Sequence, residues 1–563
     1  MLALYLALAC ADPKDPAPSP TGETPDTDDT DLPDPTTDPT TAPLADPTVT
    51  VADGEDWTLP PGVLPAEDAG FFSEVGAPEY EVDVHVVDVT WAMLEPADDQ
   101  WATDRTGSAQ GMNLRSFDDQ LAQGGRYWLR IWTSGTDWAP PWVVAKCGVA
   151  PISGKDYDGQ QHLPIWNDCV WAEILEMYGE FLVDRGMVAD PDLVLAYVPG
   201  AFTWAEFDFD MVNLAAKKDG LDLATFDAWF YQMTTDLVAL DPAHAGKLVF
   251  TGEDYPYGPF GGDDDLFARD AVAAGLGIRT GISEVSNNHL SDVPAYGFHI
   301  DADGHGVADE SWAAIADPAR VVAAENECFD DCGYQTDDPA YAVRQANLKA
   351  LQLRTRWLYV VPGPSFMQDL PELWEWTRLE LGRTASDAPD AWVQLRDAED
   401  RYWADEGTGP GGVRWEGFPY VKNLERWVVQ RDVAPDGVSQ RGTEVHVGEL
   451  DPYNGTAYEG RRTDHAAGSD WLYFYVDPAF SGAETVKVTW RDTTTAAWSV
   501  EYDTAAGPRS TPIVAGSGDG AIRTATFTLP GARLAGGLAG GADLRIYAGG
   551  AEDVEVTLVR VVR

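Results

Sequence analysis

The sequence predicts an α/β chain: a closed barrel of the (β/α)8 kind followed by an antiparallel β-sandwich. Three observations carry this expectation. From about residue 83 to 364, short β-type runs alternate with amphipathic helical patterns, as in a parallel sheet covered by helices. After Glu406-Gly-Thr-Gly-Pro-Gly-Gly412 the helical patterns nearly cease, and short runs alternating apolar and polar residues take over, separated by Gly, Asp and Pro. Two glutamates, Glu206 and Glu325, each stand just beyond an apolar run, where a barrel would bring both to one mouth.

Seven strands are expected in the first region: His85 to Thr90, Tyr127 to Trp132, Leu193 to Val198, Lys247 to Thr251, Gly277 to Ser283, Val321 to Ala324 and Trp357 to Val361. Between them, Val170, Ile174, Met177, Tyr178, Phe181 and Leu182 share one face of a helix over 169–186, with Asp168 as its N-cap. Phe226, Phe230, Met233, Leu237 and Leu240 repeat the pattern, as do Val343, Ala346, Ala350 and Leu353. Seven to eight strand-helix units favour a closed barrel over an open sheet, and no glycine-rich phosphate loop follows the first strand. In the second region Trp471 to Val476, Thr485 to Trp490, Trp498 to Tyr502, Thr524 to Leu529, Leu544 to Tyr547 and Val554 to Val561 read as sandwich strands. Bulky residues in the segment from Asn423 to Asp432 either pack the sandwich onto the barrel or form a solvated edge.

With 37 Lys+Arg against 94 Asp+Glu, the formal charge of the 563 residues is -57, which repels phosphate backbones and excludes nucleic acid as a partner. The acidic, lysine-poor surface suits salty water, where screening relieves self-repulsion. The start, Met1-Leu-Ala-Leu-Tyr-Leu-Ala-Leu-Ala-Cys10, is too short to span a bilayer and resembles the end of a bacterial lipoprotein signal, which implies lipid on Cys10. The Pro, Asp and Thr that follow cannot bury enough apolar surface to fold and read as an extended tether. The expected division is therefore a signal over 1–10, a tether over 11–57, a barrel over 58–405 and a sandwich over 413–563 that either binds carbohydrate or braces the barrel. The place expected is the bacterial cell envelope, on the outer membrane or cell surface, with membrane contact only through the lipid.

Cys147, Cys169, Cys328 and Cys332 permit three pairings, of which sequence proximity favours Cys147 with Cys169 and Cys328 with Cys332. Zinc is the alternative, but no CxxC pair is present and His162 has no ligand spacing to them. Asp301-Ala-Asp303-Gly-His305-Gly-Val-Ala-Asp309 has oxygen ligands at alternate positions, as a calcium loop does. His305 stands where Asp or Asn is usual and the twelfth-position Glu is missing, so a glycine-turned loop is expected there. No metal and no cofactor is expected.

The first expected strand continues as Asp88-Val-Thr-Trp91-Ala-Met-Leu-Glu95-Pro96, and the next ends in Arg130-Ile-Trp132 before Asp137-Trp138-Ala-Pro-Pro-Trp142. Over about residues 80 to 365 the chain resembles glycoside hydrolases of the large barrel clan that includes the family 42 β-galactosidases, which carry Trp then Leu-Glu-Pro after the first strand and a Pro-Trp loop after an early strand. The clan keeps its acid/base glutamate after the fourth strand and its nucleophile at the end of the seventh. The resemblance implies Glu206 as acid/base and Glu325 as nucleophile; Ala205 departs from the Asn that the clan has before the acid/base. Glu327 rivals Glu325, since side chains two apart on a strand share a face.

Trp91, Trp132, Trp138, Trp142 and Trp204 fall just after strands, where flat indoles can stack on sugar rings, and two or three of them are expected in a cleft. Arg130 would either hold the nucleophile ionised or form a buried structural pair. Asp254 and Tyr255, then Glu284, Asn287, Asn288 and His289, are further cleft candidates. The expectation is a retaining glycoside hydrolase acting on a poly- or oligosaccharide; the alternative is a non-catalytic glycan-binding surface lipoprotein on a degenerate barrel.

Overall fold

The computed structural model describes residues 44–74, 82–156, 158–200, 203–207, 209–252, 267–280, 293–326, 339–363, 365–399, 422–446 and 456–563. Cys10, Asp254, Tyr255, Glu284, Asn287, Asn288, His289, Glu327, Cys328 and Cys332 lie outside these, so the expectations placed on them are not addressed by it.

Eight parallel strands form the barrel: β1 (Gly70–Phe72), β2 (His85–Thr90), β3 (Tyr127–Trp132), β4 (Leu193–Tyr197), β5 (Leu248–Phe250), β6 (Gly277–Thr280), β7 (Val322–Asn326) and β8 (Trp357–Val360). Each pairs in parallel with its neighbours in sequence, and β8 pairs with β1. The ring closes through a parallel bridge between Phe72 and Val84 and the bond from the Asp83 N–H to the Phe71 carbonyl at 2.9 Å. All seven expected strands are present. The eighth, β1, is only three residues long and precedes the one expected to be first. This shifts the count so that Glu206 follows the fourth strand and Glu325 ends the seventh; the Trp-Ala-Met-Leu-Glu-Pro run follows the second strand, not the first.

Strand alternation sorts the barrel side chains. Phe72, Trp128, Tyr197, Val249, Ala323, Trp357 and Tyr359 pack in the lumen. Their sequence neighbours Phe71, Leu129, Phe250, Ala324 and Leu358 face the surrounding helices, in the cluster that holds Phe226, Phe230, Met233 and Leu237 of the helix Leu223–Leu240. The helix Asp168–Tyr178 is capped by Asn167, whose side chain accepts from the backbone of Cys169 and Val170, and not by Asp168. The cap at Asn167 leaves Asp168 as the first helical residue, where its charge still suits the positive helix end.

The sandwich has a nine-stranded and a six-stranded antiparallel sheet among the described residues. All six expected sandwich strands are there, but the domain limits differ. Val49–Asp53, expected in the tether, is an edge strand of the larger sheet, paired in register with residues 523–527 of Ile522–Thr528. Asp390–Gln394, expected in the barrel domain, lies inside that sheet between Glu555–Val562 and Leu424–Arg426. The chain thus enters the sandwich, builds the barrel, and returns.

Asp390–Gln394 has a face in each core. Ala391 and Val393 pack into the sandwich interior, whereas Trp392 joins the barrel's outer cluster with Trp57, Trp376, Leu424 and Leu558. Polar contacts follow the same seam: Arg560 Nε lies 2.5 Å from Asp390 Oδ2, Arg426 Nη1 3.4 Å from Glu380 Oε2, and Lys487 Nζ 2.7 Å from Asp56 Oδ2. The segment from Asn423 to Asp432 therefore binds sandwich to barrel, and residues 46–563 form one compact unit.

Candidate active site

The carboxyl ends of the parallel strands all open at one mouth, so that is where residues from different strands converge. Alternation along β7 turns Glu325 inward with Ala323, while Asn326 points out to a hydrogen bond with Asn347 of the helix Pro339–Gln352. Glu325 is 4% exposed. On the neighbouring β6, Arg279 stands opposite Ala323 in register and faces the same lumen.

Glu206 reaches the mouth differently, through a strained turn after β4. Trp204 and Ala205 both take left-handed backbone angles, each with φ 58°, which costs a residue with a Cβ about 1 kcal/mol or more. Gly200 makes the turn possible: a Cβ there would lie 1.9 Å from the Glu206 carbonyl oxygen. The far side is fixed by the Phe207 N–H donating to Thr251 Oγ1 at 2.8 Å, beyond β5.

One nitrogen joins the two carboxylates. Arg279 Nη2 lies 2.9 Å from Glu206 Oε1 and 2.9 Å from Glu325 Oε1, so these oxygens are no more than about 5.8 Å apart. The guanidinium is held between rings from opposite walls, 5.6 Å from the Tyr197 centroid and 5.0 Å from that of Tyr359. Although 25% of the Glu206 side chain is exposed, burial is the largest influence on its carboxyl and pushes its pKa up to about 7. Glu325 and Glu74 add to the rise; Arg279 and Arg130 oppose it. The Tyr197 hydroxyl is buried in the same surroundings without a hydrogen-bond partner among the described residues, and burial pushes its pKa well up.

Arg130 is not beside the expected nucleophile. Its Nε and Nη2 donate to Asp88 Oδ1 and Oδ2 at 2.7 and 2.8 Å, and its guanidinium stacks on Trp128, Trp132 and Trp204. Asp88 also accepts from Trp132 Nε1 at 2.9 Å. Of the two roles open to Arg130, the structure shows the buried pair.

The tryptophans divide. Trp91, Trp132 and Trp138 are buried in the core and present no face to a cleft: Trp91 Nε1 donates to Glu95, and the Trp138 ring packs on Trp132 and His162. Burial wins because a whole indole removed from water stabilises the fold by about 2–3 kcal/mol. Trp142 and Trp204 stay partly exposed, and Trp204, next to Glu206 and over Arg130, is the one at the mouth.

Glu74, Tyr197, Arg279 and Tyr359 were missed by sequence reasoning. Glu74 follows the unrecognised β1, accepts from the Tyr359 hydroxyl, and lies 4.0 Å from Arg130. Arg279 had a signal, a lone cation inside the apolar β-type run Gly277-Ile-Arg-Thr280, which is costly in a buried strand unless paired. The tyrosines look like any strand aromatics.

Cys147 and Cys169 form a disulfide. Both ring nitrogens of His162, which lies between them in sequence, have polar partners: Nδ1 is 2.8 Å from Ser134 Oγ and Nε2 2.8 Å from Asp156 Oδ2. The order resembles a nucleophile relay, but all three groups are buried, and the chain from Ser134 to Asp156 ties the loop after β3 to itself. Asp301 accepts from the N–H groups of Asp303 and His305 in a hairpin turn, and His305 Nδ1 lies 3.2 Å from Glu425 Oε2. The glycine-turned loop is what the structure shows there.

No family model matches the chain, and no curated protein matches it in sequence. Among solved structures it aligns with a type I pullulanase from Bacillus subtilis complexed with maltose, at 11% identity and TM-score 0.27, over 85% of this chain and 72% of that one. It also aligns with a full-length tri-modular endo-beta-1,4-glucanase from Bacillus halodurans, at 10% identity and TM-score 0.25, over 86% of this chain and 91% of that one. Superpositions this loose carry over neither a residue role nor an activity.

Proposed function

We propose that this chain is a retaining glycoside hydrolase in which Glu206 is the acid/base and Glu325 the nucleophile. The observation that carries the reading is the approach of both carboxylates to one Arg279 nitrogen, which limits their nearest oxygens to about 5.8 Å. Retaining enzymes need about 5–5.5 Å between carboxyl groups, and inverting ones about 6.5–9.5 Å, to admit a water. Glu206, with its pKa near 7, can keep a proton at neutral pH and give it to a departing glycosidic oxygen. Glu325 attacks the anomeric carbon from the other side and is released when water, deprotonated by Glu206, attacks in turn. Trp204 supplies a flat face for a sugar ring and the buried Tyr197 hydroxyl a donor for a sugar hydroxyl. Export with a lipid on Cys10 belongs to the same reading, since it would bring the mouth to external glycans.

The test is a panel of aryl glycosides and polysaccharides with wild type, Glu325→Ala, Glu206→Ala and Glu327→Ala. Glu325→Ala should fold, bind and not hydrolyse, and added azide should restore turnover with an inverted product. Glu206→Ala should lose most on substrates with poor leaving groups. Wild-type hydrolysis by Glu325→Ala sinks the assignment, and if Glu327→Ala alone abolishes it, the nucleophile is the later glutamate.

A further inference from the structure

Arg279 takes no part in the proposed bond-making steps, yet it is the group both glutamates share. Its surroundings are those of a fixed side chain. It rises from β6, is 2% exposed, and lies between Tyr197 of β4 and Tyr359 of β8. Tyr359 is itself tied to Glu74 beyond β1. Side chains from β4, β7 and β8 thus meet the guanidinium that β6 carries. In each ion pair the nitrogen takes Oε1.

We propose that Arg279 is the positioning residue of the pair, a clamp that holds one oxygen of each glutamate and turns the second oxygen of each toward the substrate. The chemistry of those second oxygens rests on the hydrolase reading above; the clamp itself rests on the ion pairs and the two rings. A carboxyl acting as acid needs one oxygen for the proton it donates, and a nucleophile needs one lone pair aimed at carbon, so anchoring the other oxygen costs neither role. The anchor also fixes separation, on which a retaining displacement depends. A planar guanidinium wedged between rings does this where a flexible ammonium does not.

Charge alone would be the plainer explanation: a cation among carboxylates offsets burial whatever its shape. Among the described residues, the charged groups acting most on Glu206 are Arg279, Glu325, Arg130 and Glu74, and Tyr197 shares their surroundings. Removing Arg279 deletes one of the two cations among them, so the Glu206 carboxyl should hold its proton to higher pH. Replacement by lysine retains the charge and loses the fork, which separates the two explanations.

The experiment compares full-length wild type, R279K and R279M with two readouts. The first is pH-dependent carbodiimide coupling at Glu206, followed by peptide mass spectrometry; it reports protonation of that carboxyl with no substrate present. The second is kcat and KM on an aryl glycoside that wild type hydrolyses. The clamp predicts that R279M raises the Glu206 coupling midpoint by about one pH unit. It also predicts that kcat falls about a hundredfold with KM changed less than about threefold. R279K should leave the midpoint near wild type while kcat stays low. Wild-type kcat in R279K would overturn the clamp, because charge would then suffice, and so would wild-type kcat and midpoint in R279M. If R279M lacks a cooperative melt, R279K alone decides, on the same split between midpoint and kcat. If wild type hydrolyses nothing on the panel, the hydrolase reading falls, and crystal structures of wild type and R279K judge the clamp, because a raised midpoint in R279M would follow from charge alone: Glu206 and Glu325 carboxylates displaced in R279K uphold it, and unmoved carboxylates reject it.

Discussion

Arg130 and Asp88 are locked to each other through two parallel bonds, Nε to Oδ1 at 2.7 Å and Nη2 to Oδ2 at 2.8 Å, across the adjacent strands β3 and β2. Both side chains are nearly fully buried, so removing one partner strands the other away from water. Arg130→Met should cost about 3–5 kcal/mol of stability, and Arg130→Met with Asp88→Leu considerably less, because the second change removes the orphaned carboxylate. Urea melts of the single and double variants check this. Equal loss in both would mean that the pair contributes through packing on Trp128 and Trp132 and not through charge.

The turn that delivers Glu206 makes a second expectation. Gly200→Ala places a Cβ against the Glu206 carbonyl, with backbone on both sides and no flexible atom to give way. The proposed hydrolysis should fall about a hundredfold or more, since displacement near 1 Å at a reacting group has that effect. Ala205→Gly acts the other way: it relieves a left-handed residue and should raise stability by about 1 kcal/mol with activity retained. Thermal melts and hydrolysis of the two variants test the turn. An active Gly200→Ala would show that the mouth does not depend on that close approach.

The barrel was legible because its strands are apolar on both faces and its helices have one apolar stripe, two periods that sequence displays directly. What escaped was short or shared. β1 has three residues, too few to show a period, and missing it left the position of both glutamates one strand out in the count. Val49–Asp53 sits in a Pro- and Asp-rich stretch and exposes most of its side chains, so only backbone pairing with Ile522–Thr528 makes it a strand. In the site, Glu206 and Glu325 could be read from their place after apolar runs. The identity of their shared cation could not, since register between β6 and β7 decides that Arg279, and not Arg130, is the one between them.

Strand pairing also decides what a truncated sandwich should do. A fragment over 413–563 lacks Asp390–Gln394, which is an interior strand bonded on both edges, and Val49–Asp53. It also exposes the apolar face that Leu424 and Leu558 turn toward the barrel. The fragment is expected to be insoluble or to melt without cooperativity, whereas residues 46–563 should melt as one unit. Calorimetry on the two chains decides it; a sharp independent transition in the fragment would show that the six-stranded sheet and the remaining strands suffice as a core.

The last expectation concerns pH. Burial, aided by Glu325 and Glu74, sets the Glu206 carboxyl near pH 7, and burial does the same for Glu95, with Glu176 and Glu173 adding to it. As a general acid Glu206 works only when protonated, so kcat/KM should fall as pH rises through about 7, and the fall should be steepest for substrates with poor leaving groups. Stability should move in the same direction. A folded-state pKa above the unfolded value means that the folded chain binds the proton more tightly, so the stabilisation is complete below about 4.5 and is lost as pH rises through about 7. Between about pH 5 and 8 the melting temperature should therefore decline on the alkaline side. Glu206→Gln, which cannot ionise, should flatten part of that decline and leave the share of Glu95 in place. Scanning calorimetry across this range tests the sign, and a melting temperature that climbs toward pH 8 in wild type would mean that neither carboxyl holds its proton in the folded chain.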